Sequence, residues 1–262
     1  MAITEENPGY KWVGTRPIRP DGLEKVTGKA RFGADLVLPG MLYGKVVRSP
    51  HAHARIVSID TSAAESMEGV KAVITGADFP DLSANGAHPS DIDVANNAIA
   101  RDKVLYEGHV VAAVAAITRE QAEAAAKAVA VTYEVLPHVL TVDEAMADNA
   151  PLLHEAMITK GVDPAPEEPS NIASKILHER GDLDQGFGEA DAVVEREFTT
   201  KPVHQGYIEP HAAVADANSD GRAHIWCSSQ GHFQMRAYTA TCLLYTSPSP
   251  RDRTRSRMPS SA

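Results

Sequence analysis

The chain has 262 residues, 43% hydrophobic and 23% charged, with a formal net charge of -10. That length suits one large or two ordinary globular domains, and the acidic balance excludes a basic field for nucleic acid or anionic lipid. The longest apolar run, Val110 to Ile117, falls far short of the ~20 residues a membrane helix needs, so no membrane segment is predicted. The opening residues, Met1-Ala-Ile-Thr-Glu-Glu-Asn-Pro8, have neither a basic n-region nor an apolar h-region, so no signal peptide is predicted. Only Cys227 and Cys242 are present. Two cysteines support neither a disulfide framework nor an iron–sulfur or zinc thiolate site, and they agree with a reducing, cytoplasmic compartment.

Residues 1–20, with Pro8, Pro17 and Pro20, read as an extended lead-in. Val26 to Ala34, punctuated by Gly28 and Gly33, reads as a short β-like stretch. Met41 to Arg48 and Arg55 to Ile59 read as strands linked by Ser49-Pro50-His51-Ala52-His53. Asp60 or Thr61 would cap a short helix through Met67, which Gly69 stops before a strand at Val70 to Ile74. Residues 76–100 carry Pro80, Asn85, Gly86, Pro89 and several Asp and Asn, and read as loop. His109 to Ile117 is a continuous apolar run of strand length, as expected for a strand covered on both faces. Thr118 and Gln121 have capping-box spacing, and the Ala-rich segment to Val129 is predicted helical because Ala has no side-chain entropy to lose. With a strand at Val131 to Val135, this reads as a βαβ unit with a parallel, right-handed connection.

The chain therefore divides into a compact mixed α/β (α+β) domain over 21–140, a linker over 141–175 and a second region from 176. The linker assignment rests on Pro151, Pro164, Pro166, Pro169 and their acidic neighbours. In the second region Asp191 to Thr200 alternates like a half-buried strand. Ala212–Ala215 and Ala223–Cys227 flank Asn218-Ser-Asp-Gly221, a hairpin signal. No internal repeat is evident.

Familiar catalytic motifs are absent. Gly22 to Lys29 has five residues between its glycines, and Ala30 stands where a phosphate loop needs Ser or Thr to reach magnesium. Gly186-Phe187-Gly188 lacks the third glycine of a dinucleotide fingerprint, and there is no G-x-S-x-G elbow. His51 and His53 would share one face of a strand and could ligate a metal, but they have no nearby Cys or carboxylate in sequence, and hydrogen-bonding or surface roles fit better. His204, Glu209 and His211 lack the spacing of a helical zinc pair and read as structural. Arg48 and Glu107 read as ordinary polar surface. Trp226-Cys-Ser-Ser-Gln230-Gly231 reads as a strand opening into a buried polar loop with one amide at its tip. An amide can donate and accept together, and glycine beside it would let a ligand approach the backbone, although a buried amide most often satisfies its own loop.

The last residues differ in composition. Residues 242–262 hold four Arg against one Asp, a local +3. The plain reading is a disordered basic tail. Cys242 to Asp252 also resembles the in-frame translation of a transposase sequencing adapter, and Ser256 to Ala262 resembles the flow-cell primer region that follows it. On that reading 242–262 is not native, natural sequence stops near Thr241, and residues 1–241 carry a net charge of -13.

Several stretches, taken together in order, resemble the large subunit of xanthine dehydrogenase/aldehyde oxidase-type molybdenum hydroxylases. They are Val26-Thr-Gly-Lys-Ala-Arg-Phe-Gly-Ala-Asp-Leu36, Gly44 to Ile59 with Arg48-Ser-Pro-His-Ala-His-Ala54, and Tyr106-Glu-Gly-His-Val-Val-Ala-Ala-Val114 with the Ala-rich helix and Tyr133-Glu-Val-Leu-Pro137. Gly181-Asp182 through Glu197, Tyr207-Ile-Glu-Pro-His211 and Ser229-Gln230 are similar to the start of that family's first molybdopterin-binding region. The resemblance covers about residues 15–241 and implies an N-terminal hammerhead domain followed, over 176–241, by the truncated start of a cofactor domain. It implies a molybdopterin cofactor, in the cytosine dinucleotide form, and hydroxylation of a purine, N-heterocycle or aldehyde-type carbon with water-derived oxygen. Gln230, with Gly231 beside it, aligns with the glutamine that hydrogen-bonds the oxygen on molybdenum or substrate. The family's Gly-Phe-Gly-Gly loop, later cofactor segments and catalytic glutamate would follow Thr241, so no catalytic residue and no metal ligand is assigned here and the fragment is expected to be inactive alone. The [2Fe–2S] and FAD centres would sit on partner subunits, because this chain has no cysteine set for the clusters. A CO dehydrogenase-like or hydroxybenzoyl-CoA reductase-like subunit, a non-catalytic scaffold domain over 22–140 and a His-based zinc enzyme stand as alternatives.

Overall fold

A computed structural model describes residues 11–84, 89–218 and 222–243 of the chain. Its elements are α1 (Gly22–Val26), β1 (Tyr43–Arg48), β2 (Ala54–Asp60), α2 (Ser62–Glu65), β3 (Val70–Thr75), α3 (Pro89–Ala98), β4 (Lys103–Val104) and β5 (Val110–Ala116). There follow α4 (Arg119–Ala128), β6 (Ala130–Val135), α5 (Val142–Met146), α6 (Leu183–Gly188), β7 (Ala213–Ala217), β8 (Ala223–Cys227) and α7 (His232–Cys242). The fold is mixed α+β. Among the described residues no helix is long and apolar enough to cross a membrane. The chain divides into two compact units, Met1–Pro39 with Pro202–Gln230, and Gly40–Lys201 with Gly231–Ala262.

The larger unit is built on two three-stranded antiparallel sheets, ordered β1-β5-β3 and β4-β2-β6. Strand β5 is the centre of the first, with Val114 opposite both Lys45 and Val73, which is why its sequence is apolar without alternation. Helix α4 lays Ala122, Ala125 and Ala126 over this sheet. Small residues at helical spacing let its backbone approach Ala112 and Val114, with Ala64 of α2 and Val129 completing a buried cluster. The predicted capping box starts α4. Thr118 Oγ1 accepts from the Gln121 N–H at 3.2 Å, and Gln121 Oε1 accepts from the Thr118 N–H at 3.2 Å. A second cluster holds Ala54, Ala100, Val104 and Val111. Val47 and Val131 pack against both clusters, so the sheets share one continuous core.

Several elements depart from the sequence reading. Strands β5 and β6 do not form a βαβ unit: they lie in different sheets, and every named pairing is antiparallel. The strand–helix–strand order of β5, α4 and β6 is as expected, but partner choice follows burial, with β6 pairing β2. Residues 89–98, read as loop, form α3; its Asp and Asn residues favour helix weakly, and packing against α7 plus a buried histidine bond at Asn96 hold it. Residues 85–88 lie outside the described part. Val26–Ala34 is not β-like. The Thr27 hydroxyl and amide both donate to Leu23 O, at 2.7 and 3.1 Å, closing a helical turn, and Gly33–Asp35 is a 3₁₀ turn. Residues 192–200 are exposed and outside any strand, as Phe198 at 85% exposure shows; alternation makes a strand only where a neighbour completes the ladder.

The Pro-rich stretch before residue 175 has little regular structure but is tied down by side chains. Asn171 uses both kinds of amide atom: Nδ2 donates to Ala145 O and Pro151 O, each at 3.1 Å, and Oδ1 accepts from the Leu153 N–H at 3.2 Å. Thr159, itself buried, shares a 2.7 Å hydroxyl bond with Ser170.

Candidate cofactor-binding site

The predicted hairpin forms in the smaller unit. Strands β7 and β8 pair from Ala213 opposite Cys227 to Ala217 opposite Ala223, and the Asn218 N–H donates to Arg222 O at 2.8 Å. Residues 219–221 of its turn lie outside the described part. Ser228 lengthens the ladder by one residue. Its N–H donates to Ala212 O at 3.1 Å, and its hydroxyl accepts from the Ala212 N–H at 3.1 Å and lies 3.3 Å from Ala212 O. Gly33 lies against this edge; a Cβ there would stand 3.6 Å from Ala212 Cβ. Ser228 thereby fixes where the chain leaves the hairpin. It is not legible in the sequence, because a serine after a strand carries no signal of its own.

Gln230 follows at a bend. It is exposed rather than buried, which corrects the expectation of a buried polar loop: Cys227, Ser228 and Ser229 are half-buried, but the tip faces solvent. No hydrogen bond of the Gln230 side chain is found among the described residues. Gly231 begins the other unit as N-cap of α7, with φ -142° and no side-chain cap. That φ is open to any residue, and a Cβ there would meet only Gln234, whose Oε1 at 3.1 Å is the end of a flexible side chain. Local backbone geometry therefore does not demand glycine at 231.

The histidines separate by environment. In the smaller unit His204, Tyr207 and His211 form a run of ring contacts at 4.8 and 4.9 Å, and His204 Nδ1 accepts from the Gly206 N–H at 3.0 Å. Residues 207–211 form no strand, and Glu209 is exposed. In the larger unit His51 meets the Tyr133 ring edge-on at 5.0 Å. Burial raises the Tyr133 phenol above its ordinary range, with a Ser49 hydrogen bond opposing the shift. His53 bonds Pro137 O at 2.7 Å. Among the described residues no group of three or more His, Cys, Asp or Glu could hold a metal ion. Arg48, read as ordinary surface, donates from Nη1 to Gly108 O at 2.7 Å and ties the end of β1 to the start of β5. The structure also brings forward His109, fully buried, which the sequence presented only as the first residue of an apolar run.

Residues 27–137 match the family described as "Aldehyde oxidase and xanthine dehydrogenase, a/b hammerhead domain", and residues 164–249 match "Molybdopterin cofactor-binding domain". The chain belongs to the xanthine dehydrogenase/aldehyde oxidase family of molybdenum hydroxylases, with the hammerhead and molybdopterin-binding domains of the large subunit. It is 37% identical over 219 residues to a probable xanthine dehydrogenase subunit of Bacillus subtilis, covering 84% of this chain and 27% of that protein. It is 35% identical over 227 residues to the carbon monoxide dehydrogenase large chain of Afipia carboxidovorans, covering 86% and 28%. The crystal structure of quinoline 2-oxidoreductase from Pseudomonas putida 86 superposes with a TM-score of 0.71 at 28% identity, covering 88% of this chain and 29% of that one. The chain thus spans little more than a quarter of the length of these three.

Proposed function

We propose that this chain supplies one wall of the molybdenum cofactor site in a multi-subunit hydroxylase that oxidises an N-heterocycle, purine or aldehyde-type carbon with water-derived oxygen. The observation that carries the proposal is the pair of family matches, hammerhead then cofactor domain, in the same order as the sequence resemblance. The bound cofactor, in its cytosine dinucleotide form, supplies the oxidising metal centre. Within this chain Gln230 offers an amide to an oxygen of cofactor or substrate, and Gly231 lies beside it. The Ser228–Ala212 hydrogen bonds hold the strand exit from which Gln230 projects. The relatives carry names of different substrates, xanthine and carbon monoxide among them, so the proposal stops at the reaction class.

Partner subunits holding FAD and [2Fe–2S] centres are part of the same reading. They are supported by the chain's two cysteines and by relatives named as subunits. The chain alone is expected not to turn over, and the complex is placed in the cytoplasm. Residues 242–262 are read as adapter-derived on their composition and resemblance. Helix α7 runs through Cys242, and the cofactor-domain match runs on to residue 249, so resequencing across Thr241–Cys242 decides that point. The functional test is metal and pterin analysis of the completed subunit purified with its partners. Molybdenum and pterin should co-purify, and Gln230→Ala should lower turnover while leaving molybdenum content near wild type. An active complex without either component, or a Gln230→Ala complex of unchanged turnover, would sink the corresponding part.

A further inference from the structure

His53 sits at the start of β2, 4% exposed, where the chain also leaves β6. Its backbone oxygen accepts from the Leu136 N–H at 3.0 Å, and its ring Nδ1 lies 2.7 Å from Pro137 O. A carbonyl oxygen only accepts, so Nδ1 carries a proton, and in the neutral ring Nε2 presents a lone pair. Nε2 is buried and meets no donor of the protein. A buried acceptor left in that state is costly, and folded proteins complete such groups with internal water when polar neighbours are at hand. They are near in the fold: Ala54, next to His53, stands opposite Val104, and the adjoining Lys103 pairs through Nζ with Glu155 at 3.1 Å.

We infer that His53 is a two-sided clamp: Nδ1–H and the His53 carbonyl pin residues 136 and 137 as the chain leaves the two-sheet core, and Nε2 accepts from one internal water molecule. His53 belongs to the larger unit, and the inference does not depend on the cofactor reading.

The test is NMR on the ¹⁵N-labelled chain, joined to hydrogen exchange. Long-range ¹H–¹⁵N correlations should show His53 protonated at Nδ1, with Nε2 shifted as a hydrogen-bond acceptor, and His53 ring protons should show contacts to a long-lived water. A ring protonated at Nε2, an Nε2 shift without an acceptor's displacement, or no water contact would overturn the proposal. In exchange experiments His53→Asn, whose amide N–H can replace Nδ1–H, should keep the Leu136 amide protected. His53→Phe should speed its exchange about tenfold or more. Equal exchange in both variants would refute the clamp. If His53→Phe does not fold, the wild-type spectra alone decide.

Discussion

Replacing His109 by Phe should cost this fold more than its conservative shape suggests. The imidazole is fully buried and stacked on Tyr106 at 4.5 Å. Its Nδ1 accepts from the Leu105 N–H at 3.2 Å, so Nε2 carries the proton, which it donates to Asn96 O at 2.8 Å. These bonds join α3 to the entry of β5. Phenylalanine keeps the ring but strands a donor and an acceptor of half-buried residues, each costing about 1–3 kcal/mol, so a loss of about 2–6 kcal/mol is expected. Burial also pushes the His109 pKa below its ordinary value, against a weaker upward effect of the Asn96 bond. The unfolded imidazole takes a proton near pH ~6.5 while the folded one resists, so the unfolded state binds more protons below that point. Stability from this residue is therefore complete above pH ~6.5 and is lost as pH falls toward the depressed folded value. The lowered carboxyls of Asp60, Asp81 and Glu144 act in the acid carboxylate range, below that window. Urea unfolding followed by circular dichroism from about pH 5 to 8 should show stability rising with pH in wild type and a shallower rise in His109→Phe. A variant that loses less than about 1 kcal/mol and keeps the wild-type pH slope would refute this account of the bonds and the tautomer.

Other substitutions test separate links. Gly76→Ala places a Cβ 2.5 Å from Ala100 O and 3.0 Å from Arg101 Cα, backbone atoms that cannot rotate away, so a drop of about 2 kcal/mol or more in unfolding free energy is expected. Asn171→Ala strands two carbonyls and an amide in half-buried surroundings. Limited proteolysis within 145–171 should accelerate several-fold, and an unchanged cleavage rate would show that the stretch is held by other contacts. Breaking the Arg55–Glu134 pair should do little: at 3.2 Å both side chains are 60% exposed, so the coupling energy in a double-mutant cycle should stay below about 1 kcal/mol.

Much of this protein could be read from local chemistry. The continuous apolar run of β5 announced a strand covered on both faces, Thr118 and Gln121 announced the start of α4, and Asn218–Gly221 announced the β7–β8 hairpin. These signals are short-range: backbone capping, turn preference and periodicity act within a few residues. The family was legible too, because many modest motifs kept their order along the chain.

Pairing was not legible. A strand's partners are set by which faces can be buried together, and β6 joins β2 across about seventy to eighty residues while β5 takes β1 and β3. The same holds for α3, whose weak helix formers are held by packing on α7 and by His109, and for 192–200, whose alternation finds no partner strand. At the candidate site the sequence alone determined the residue type at 230, an amide able to donate and accept. Only the tertiary structure decided that this amide faces solvent, because burial depends on what the folded chain brings over a side chain and not on the residues beside it.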